Sequence, residues 1–138
     1  MRFLLDTHTW LWAVSAPERL RRVGAELIES RENTVVLSTV SAHENAINVS
    51  LGKLEVPEPV EKFVSSRIDA LAMTTLPVYL SHALRVADLP QHHRDPFDRL
   101  LIAQSQIERL PLMTADATIA EYDIEIIWIG SGRAPGRP

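Results

Sequence analysis

Thr34-Val35-Val36-Leu37-Ser38 has the β-branched, apolar content of a strand buried on both faces. Upstream, Arg19 to Arg31 reads as a helix whose inner stripe is Leu20, Val23, Leu27 and Ile28. Further back, Arg2 to Asp6 is another short buried strand, apolar at Phe3, Leu4 and Leu5, followed by a helix through Trp10, Leu11, Trp12 and Val14 that stops near Pro17. Strand, helix, strand implies a parallel crossover. Downstream, a helix is predicted from Thr39 to Leu51, closed by Gly52, with Val40, Ile47, Leu51 and Leu54 on its apolar stripe. Next come a helix from Pro59 to Leu71 with Val60, Phe63, Val64 and Ile68 inward, a short strand Met73 to Leu76 and a helix from Val78 to Ala87. A helix beginning at Pro96, a strand Pro111 to Thr114 and a last strand Ile124 to Ile129 complete the pattern. The alternation predicts an α/β fold with a central, mostly parallel sheet of about four or five strands. Residues 1–129 form one domain, and the Gly-, Pro- and Arg-rich tail 130–138 reads as disordered.

Composition narrows the function. The 138 residues suffice for one real core. With no cysteine, disulfides, thiolate zinc sites and cysteine nucleophiles are excluded. The apolar start breaks at Asp6, too early for a secretory or membrane-spanning segment, so a cytoplasmic protein without membrane contact is expected. A net charge of −4 offers no general basic field for nucleic acid, although a bound cation would offset clustered acids.

Acids recur where such sheets place their sites. In His93-Arg94-Asp95-Pro96-Phe97-Asp98-Arg99-Leu100-Leu101-Ile102-Ala103-Gln104, Pro96 suits the first helical position, putting Asp95 at the N-cap and Asp98 in the first turn. Asp6 and Asp116 follow strands, and Glu44 sits on the inner face of the helix after the second strand, where Ser38 or Thr39 is the natural cap. Each alone can be an ordinary helix-end acid, and Ser41 with Glu44 matches a capping box. Together they lie on one edge of a right-handed α/β sheet. Several ionised carboxylates in one cleft call for cations, and hard Mg²⁺ or Mn²⁺ suits oxygen donors. The implied chemistry is phosphodiester hydrolysis by a metal-activated water. Arg94 and Arg99 flank the acidic turn as candidate phosphate contacts, and Thr7 and Thr114 beside the strand-end acids are further substrate-binding candidates. The adjacent His92 and His93 lack the spacing of a zinc site, and His82 reads as an interhelical histidine.

Leu4-Leu5-Asp6-Thr7-His8, Glu44 before Gly52-Lys53-Leu54, the run from His93 to Gln104, and Thr114-Ala115-Asp116 resemble the VapC-type toxins of the PIN-domain ribonucleases. The resemblance covers nearly all of the chain except the tail. It implies a three-layer α/β/α fold, Mg²⁺- or Mn²⁺-dependent endoribonuclease activity on RNA, a homodimer, and inhibition by a small cognate antitoxin. Carried over by position, the catalytic and metal-binding acids are Asp6, Glu44, Asp98 and Asp116, with Asp95 as an additional acid at the metal. One departure is Asn48, where similar sequences often carry Lys.

Two other functions fit the same pattern. A PIN-like binding module would keep the fold without turnover, and a metal-dependent DNA nuclease would use the same acids. No arch or clamp insertion for threading DNA is evident in the chain.

Overall fold

The computed structural model describes residues 1–135, and strands and helices alternate along it as the hydrophobic pattern requires. The order is β1 (Arg2–Leu5), α1 (Thr7–Ser15), α2 (Arg21–Glu29), β2 (Thr34–Ser38), α3 (Thr39–Ser50), α4 (Val60–Ala70) and β3 (Thr74–Leu76). Then follow α5 (Leu80–Arg85), α6 (Pro96–Glu108), β4 (Leu112–Thr114) and β5 (Ile126–Trp128), with short 3-10 turns at Pro17–Leu20, Val86–Asp88 and Ile119–Glu121.

The strands form one sheet in the order β3-β2-β1-β4-β5, and every pairing is parallel. From β1 the chain moves outward through β2 and β3, then returns to add β4 and β5 on the other side. The connections therefore diverge between β1 and β4, where Leu5 pairs with Met113. In such sheets the crevice outside the carboxyl ends at this divergence is the natural ligand site.

Alternating residues supply two cores. Phe3, Leu5, Val35, Leu37 and Met113 pack with Trp10, Leu20, Ile28, Phe63 and Val64, so α1, α2 and α4 cover one face. Leu4, Val36 and Leu112 pack with Val40, Leu101, Ile102, Ile119 and Tyr122 on the other. The three-layer expectation holds. α6 is buried from Leu101 through Ser105, so it anchors its first turn firmly at the sheet edge; burying each large apolar side chain contributes about 1.5–3 kcal/mol.

Several local expectations are corrected. Arg21, at φ 59°, interrupts the predicted Arg19–Arg31 helix and shifts its phase. Val23 consequently faces solvent at 48% exposure, and Gly24 packs inward instead, where a Cβ would lie 3.0 Å from Ile129 Cγ2. On α3, Leu51 is not part of an oily stripe: it is the C-cap residue and 60% exposed. The buried face of α3 carries Val40 but also Ser41 and Asn45, because α1 meets it through hydrogen bonds, Thr7 Oγ1 to Ser41 Oγ at 3.0 Å and Trp10 Nε1 to Asn45 Oδ1 at 2.9 Å. Gly52 closes the helix as expected, at φ 71°. Of the predicted tail, Gly130 and Gly132 accept from Arg21 Nη1 and Trp128 Nε1 respectively, and 136–138 lie outside the described residues. Among the described residues, no helix is long and apolar enough to cross a membrane.

Candidate metal centre

Asp6 follows β1 directly and caps α1, its Oδ1 accepting from Thr9 N at 2.8 Å. Its other oxygen, Oδ2, accepts from Thr114 Oγ1 at 2.5 Å, a bond that spans the divergence between β1 and β4. The side chain is 3% exposed, and burial pushes its carboxyl above the usual range, against the lowering effect of Thr114 and Thr9.

Asp95 and Asp98 open α6 as the Asp-Pro-x-Asp spacing predicts. Asp95 Oδ1 accepts from Phe97 N at 2.8 Å and Asp98 N at 3.1 Å, with Pro96 in the first turn. Asp98 is thereby free of capping duty and turns into the cleft. Its carboxyl is pushed up to about 8, first by burial and then by Asp95, Asp6, Glu44 and Asp116. That each of these acids acts on Asp98 is the electrostatic signature of their convergence.

Glu44 stands in the second turn of α3, and Ser38, not Ser41, caps that helix by accepting from Val40 N at 3.0 Å. The capping-box alternative is thereby removed. Glu44 Oε1 is buried without a hydrogen-bond partner. Burial raises this carboxyl, Asp95 and Asp6 add to the rise, and the Thr7 hydroxyl and His8 oppose it. A buried acceptor left unpaired costs about 1–3 kcal/mol, so this oxygen fits a site completed by a cation.

Asp116 follows β4. Asp116 caps the next turn itself, with Oδ1 accepting from Thr118 N at 2.8 Å and Ile119 N at 3.4 Å. The Thr114 hydroxyl links two acids, accepting from Asp116 N at 2.9 Å while donating to Asp6. Asp116 Oδ2 remains toward the cluster, 3.6 Å from His93 Nε2, which is also 3.0 Å from Asp98 Oδ2. Oxygens of this kind, gathered on a hard-donor site, fit Mg²⁺ or Mn²⁺ rather than a soft metal.

Arg99 is the site residue that the structure removes from the substrate's reach. It is 7% exposed, and its guanidinium donates to the carbonyls of Val86, Leu89, Pro90 and His93 and to the Tyr122 hydroxyl. It fixes the loop before α6, with both terminal nitrogens already donating within the protein. Thr7 and Thr114 are buried too, and support Ser41 and Asp6 respectively. Arg94 is exposed beside Asp95. His93 stands at the acids although its sequence spacing does not announce it; the available signal is its place two residues before the Asp95 cap. His82 is the interhelical histidine expected, fully buried and 2.9 Å from Glu108 Oε2.

Comparison of the sequence with curated proteins finds no match. Among solved structures, VapBC2 from Rickettsia felis bound to a DNA fragment from their promoter is similar at a TM-score of 0.70 and 16% identity, covering 91% of this chain and 96% of that one. FitAB bound to an IR36 DNA fragment gives 0.69 and 21%, covering 94% and 95%. FitAcB from Neisseria gonorrhoeae gives 0.64 and 19%, covering 94% and 98%. Likeness at these identities establishes the fold. The PIN domain model matches residues 3–125, from the first strand to the threshold of the last, and the chain belongs to the PIN domain family of nucleases.

Proposed function

We propose that this chain is a divalent-cation-dependent endoribonuclease, the toxin of a VapBC-type toxin–antitoxin pair, acting in the cytoplasm. The observation that carries this reading is the gathering of acids at the carboxyl edge of the sheet: Asp98 and Asp116 lie 3.0 and 3.6 Å from one His93 nitrogen, Thr114 ties Asp6 to the Asp116 backbone, Asp95 caps the turn of Asp98, and one buried Glu44 oxygen is unpaired. Asp6, Glu44, Asp98 and Asp116 would hold Mg²⁺ or Mn²⁺, with Asp95 adding charge from the cap. Bound there, the ion would lower the pKa of a water and neutralise charge on the scissile phosphate.

The protein's own contribution is orientation. Thr9 N and Thr114 Oγ1 fix both oxygens of Asp6, and the Asp95 cap stiffens the turn that carries Asp98. Asp116 spends Oδ1 on its turn, which leaves Oδ2 as the oxygen that would meet the cation or accept a proton from the attacking water. The exposed Arg94, beside the Asp95 cap, is a basic side chain available for the RNA backbone. A second copy and a small antitoxin are the proposed partners. α5 supports the former, since Tyr79, Leu80 and Leu84 are 54%, 75% and 64% exposed along one short segment.

The test is to incubate wild type and Asp98→Asn with pooled structured RNA and with DNA, in Mg²⁺, Mn²⁺ or EDTA. Discrete RNA cuts that need both the cation and Asp98 are expected. Cuts in DNA alone would move the reading to a DNA nuclease, and cation-independent cuts by both proteins would refute it.

A further inference from the structure

His93 is held from several directions. Its N–H donates to the Tyr122 hydroxyl at 2.8 Å, and its carbonyl accepts from Arg99 Nη1 at 3.3 Å. Arg99 also donates to that same hydroxyl at 3.2 Å, so the buried guanidinium and the phenol together clamp the backbone that carries the imidazole. The ring is then oriented by Asp95, whose N–H donates to Nδ1 at 3.1 Å. Nε2 is left facing Asp98 Oδ2 and Asp116 Oδ2 at 3.0 and 3.6 Å.

By distance, His93, Asp98 and Asp116 form a ready set of metal ligands, their ligand atoms all within 4.8 Å of one another. The hydrogen bond at Nδ1 contradicts that assignment. An imidazole that accepts at Nδ1 carries its proton on Nε2, so the ring shows the acids an N–H and not a lone pair. To ligate through Nε2, the ring would have to move its proton to Nδ1, against the Asp95 N–H. Metal-bound histidines have the opposite arrangement, with the other ring nitrogen donating to an oxygen.

We propose that His93 is a positioning residue that competes with the cation: its Nε2–H lies against both Asp98 and Asp116 and screens their mutual repulsion until an ion displaces it. The inference rests on the cation-binding reading above and assigns His93 an effect on affinity opposite to that of a ligand. Removing a competing donor strengthens ion binding, whereas removing a ligand weakens it.

Mn²⁺ binding to wild type, His93→Ala and His93→Gln, measured by calorimetry and by Mn²⁺ paramagnetic resonance, separates these roles. His93→Ala should bind about threefold to tenfold more tightly, the size of one close polar contact with the acids. His93→Gln, which keeps an amide donor, should remain near wild type. The cation-free melting temperature should fall in His93→Ala and be restored in His93→Gln. Equal or weaker binding by His93→Ala overturns the proposal; should that variant fail to fold, weakened binding by His93→Gln does so. Wild type that takes up no Mn²⁺ overturns the cation-binding reading itself, a distinct failure.

Discussion

Replacing Asp98 with Asn should stabilise the cation-free protein while disabling it. The Asp98 carboxyl lies at about 8 in the folded chain against 3.8 unperturbed, because burial and surrounding acids disfavour its charge. A carboxyl with a raised folded value stabilises the fold only while protonated there. Its contribution is therefore complete below 3.8 and is lost as pH rises through about 8. At about 1.4 kcal/mol per tenfold change in proton affinity, the displacement has a ceiling of ~6 kcal/mol. Asp116 is 38% exposed at the cluster's edge, so solvent screening reduces the realised repulsion to about 1–3 kcal/mol. Against this stands the loss of a favourable first-turn charge, about 0.3–1 kcal/mol. Crowding wins, and Asp98→Asn should melt several degrees above wild type at about pH 9 in EDTA. The gap should close toward about pH 4, where both side chains are neutral. Saturating Mn²⁺ should reverse the order, since only wild type gains binding free energy. Thermal melts across that pH range suffice. An Asn variant less stable than wild type at high pH in EDTA would refute the crowding on which the site assignment depends.

Arg99→Lys should destabilise the fold by roughly 2–4 kcal/mol in urea titrations, because one ammonium cannot serve the carbonyls that the guanidinium now holds. Unchanged stability with lost RNA cleavage would return Arg99 to the substrate. Leu80→Glu combined with Leu84→Glu should convert a homodimer to monomer in sedimentation experiments without altering Mn²⁺ affinity; a wild-type chain that sediments as a monomer would remove the proposed dimer.

The fold was legible wherever a residue answered to its immediate neighbours. Ser38 and Asp95 were readable as caps, and Phe3-Leu4-Leu5 and Val35-Val36-Leu37 as strands covered on both faces, because local spacing determines those roles. The acids were legible as a group, since a parallel sheet brings every strand's carboxyl end to one edge. What escaped depends mostly on distant partners, and in one case on a local backbone turn that residue spacing does not announce. Val23 and Gly24 exchange places because Arg21 shifts the helix phase. Asn45 is buried with its Oδ1 accepting from Trp10 Nε1, a partner 35 residues away. Arg99 looks like a surface cation until the loop carbonyls and Tyr122 close around it. His93 joins the acids through the same clamp, built from Tyr122 far downstream.

Mn²⁺ binding to wild type and Asp6→Asn, followed by paramagnetic resonance at neutral pH, tests the central claim most directly. Asp6 is joined to Thr114 across the divergence of the sheet, and Thr114 in turn accepts from the Asp116 backbone. Saturable binding by wild type, lost or weakened at least about tenfold in a folded Asp6→Asn, is the predicted result. Wild type and variant that bind Mn²⁺ equally, or not at all, would contradict the claim that these acids form a cation site.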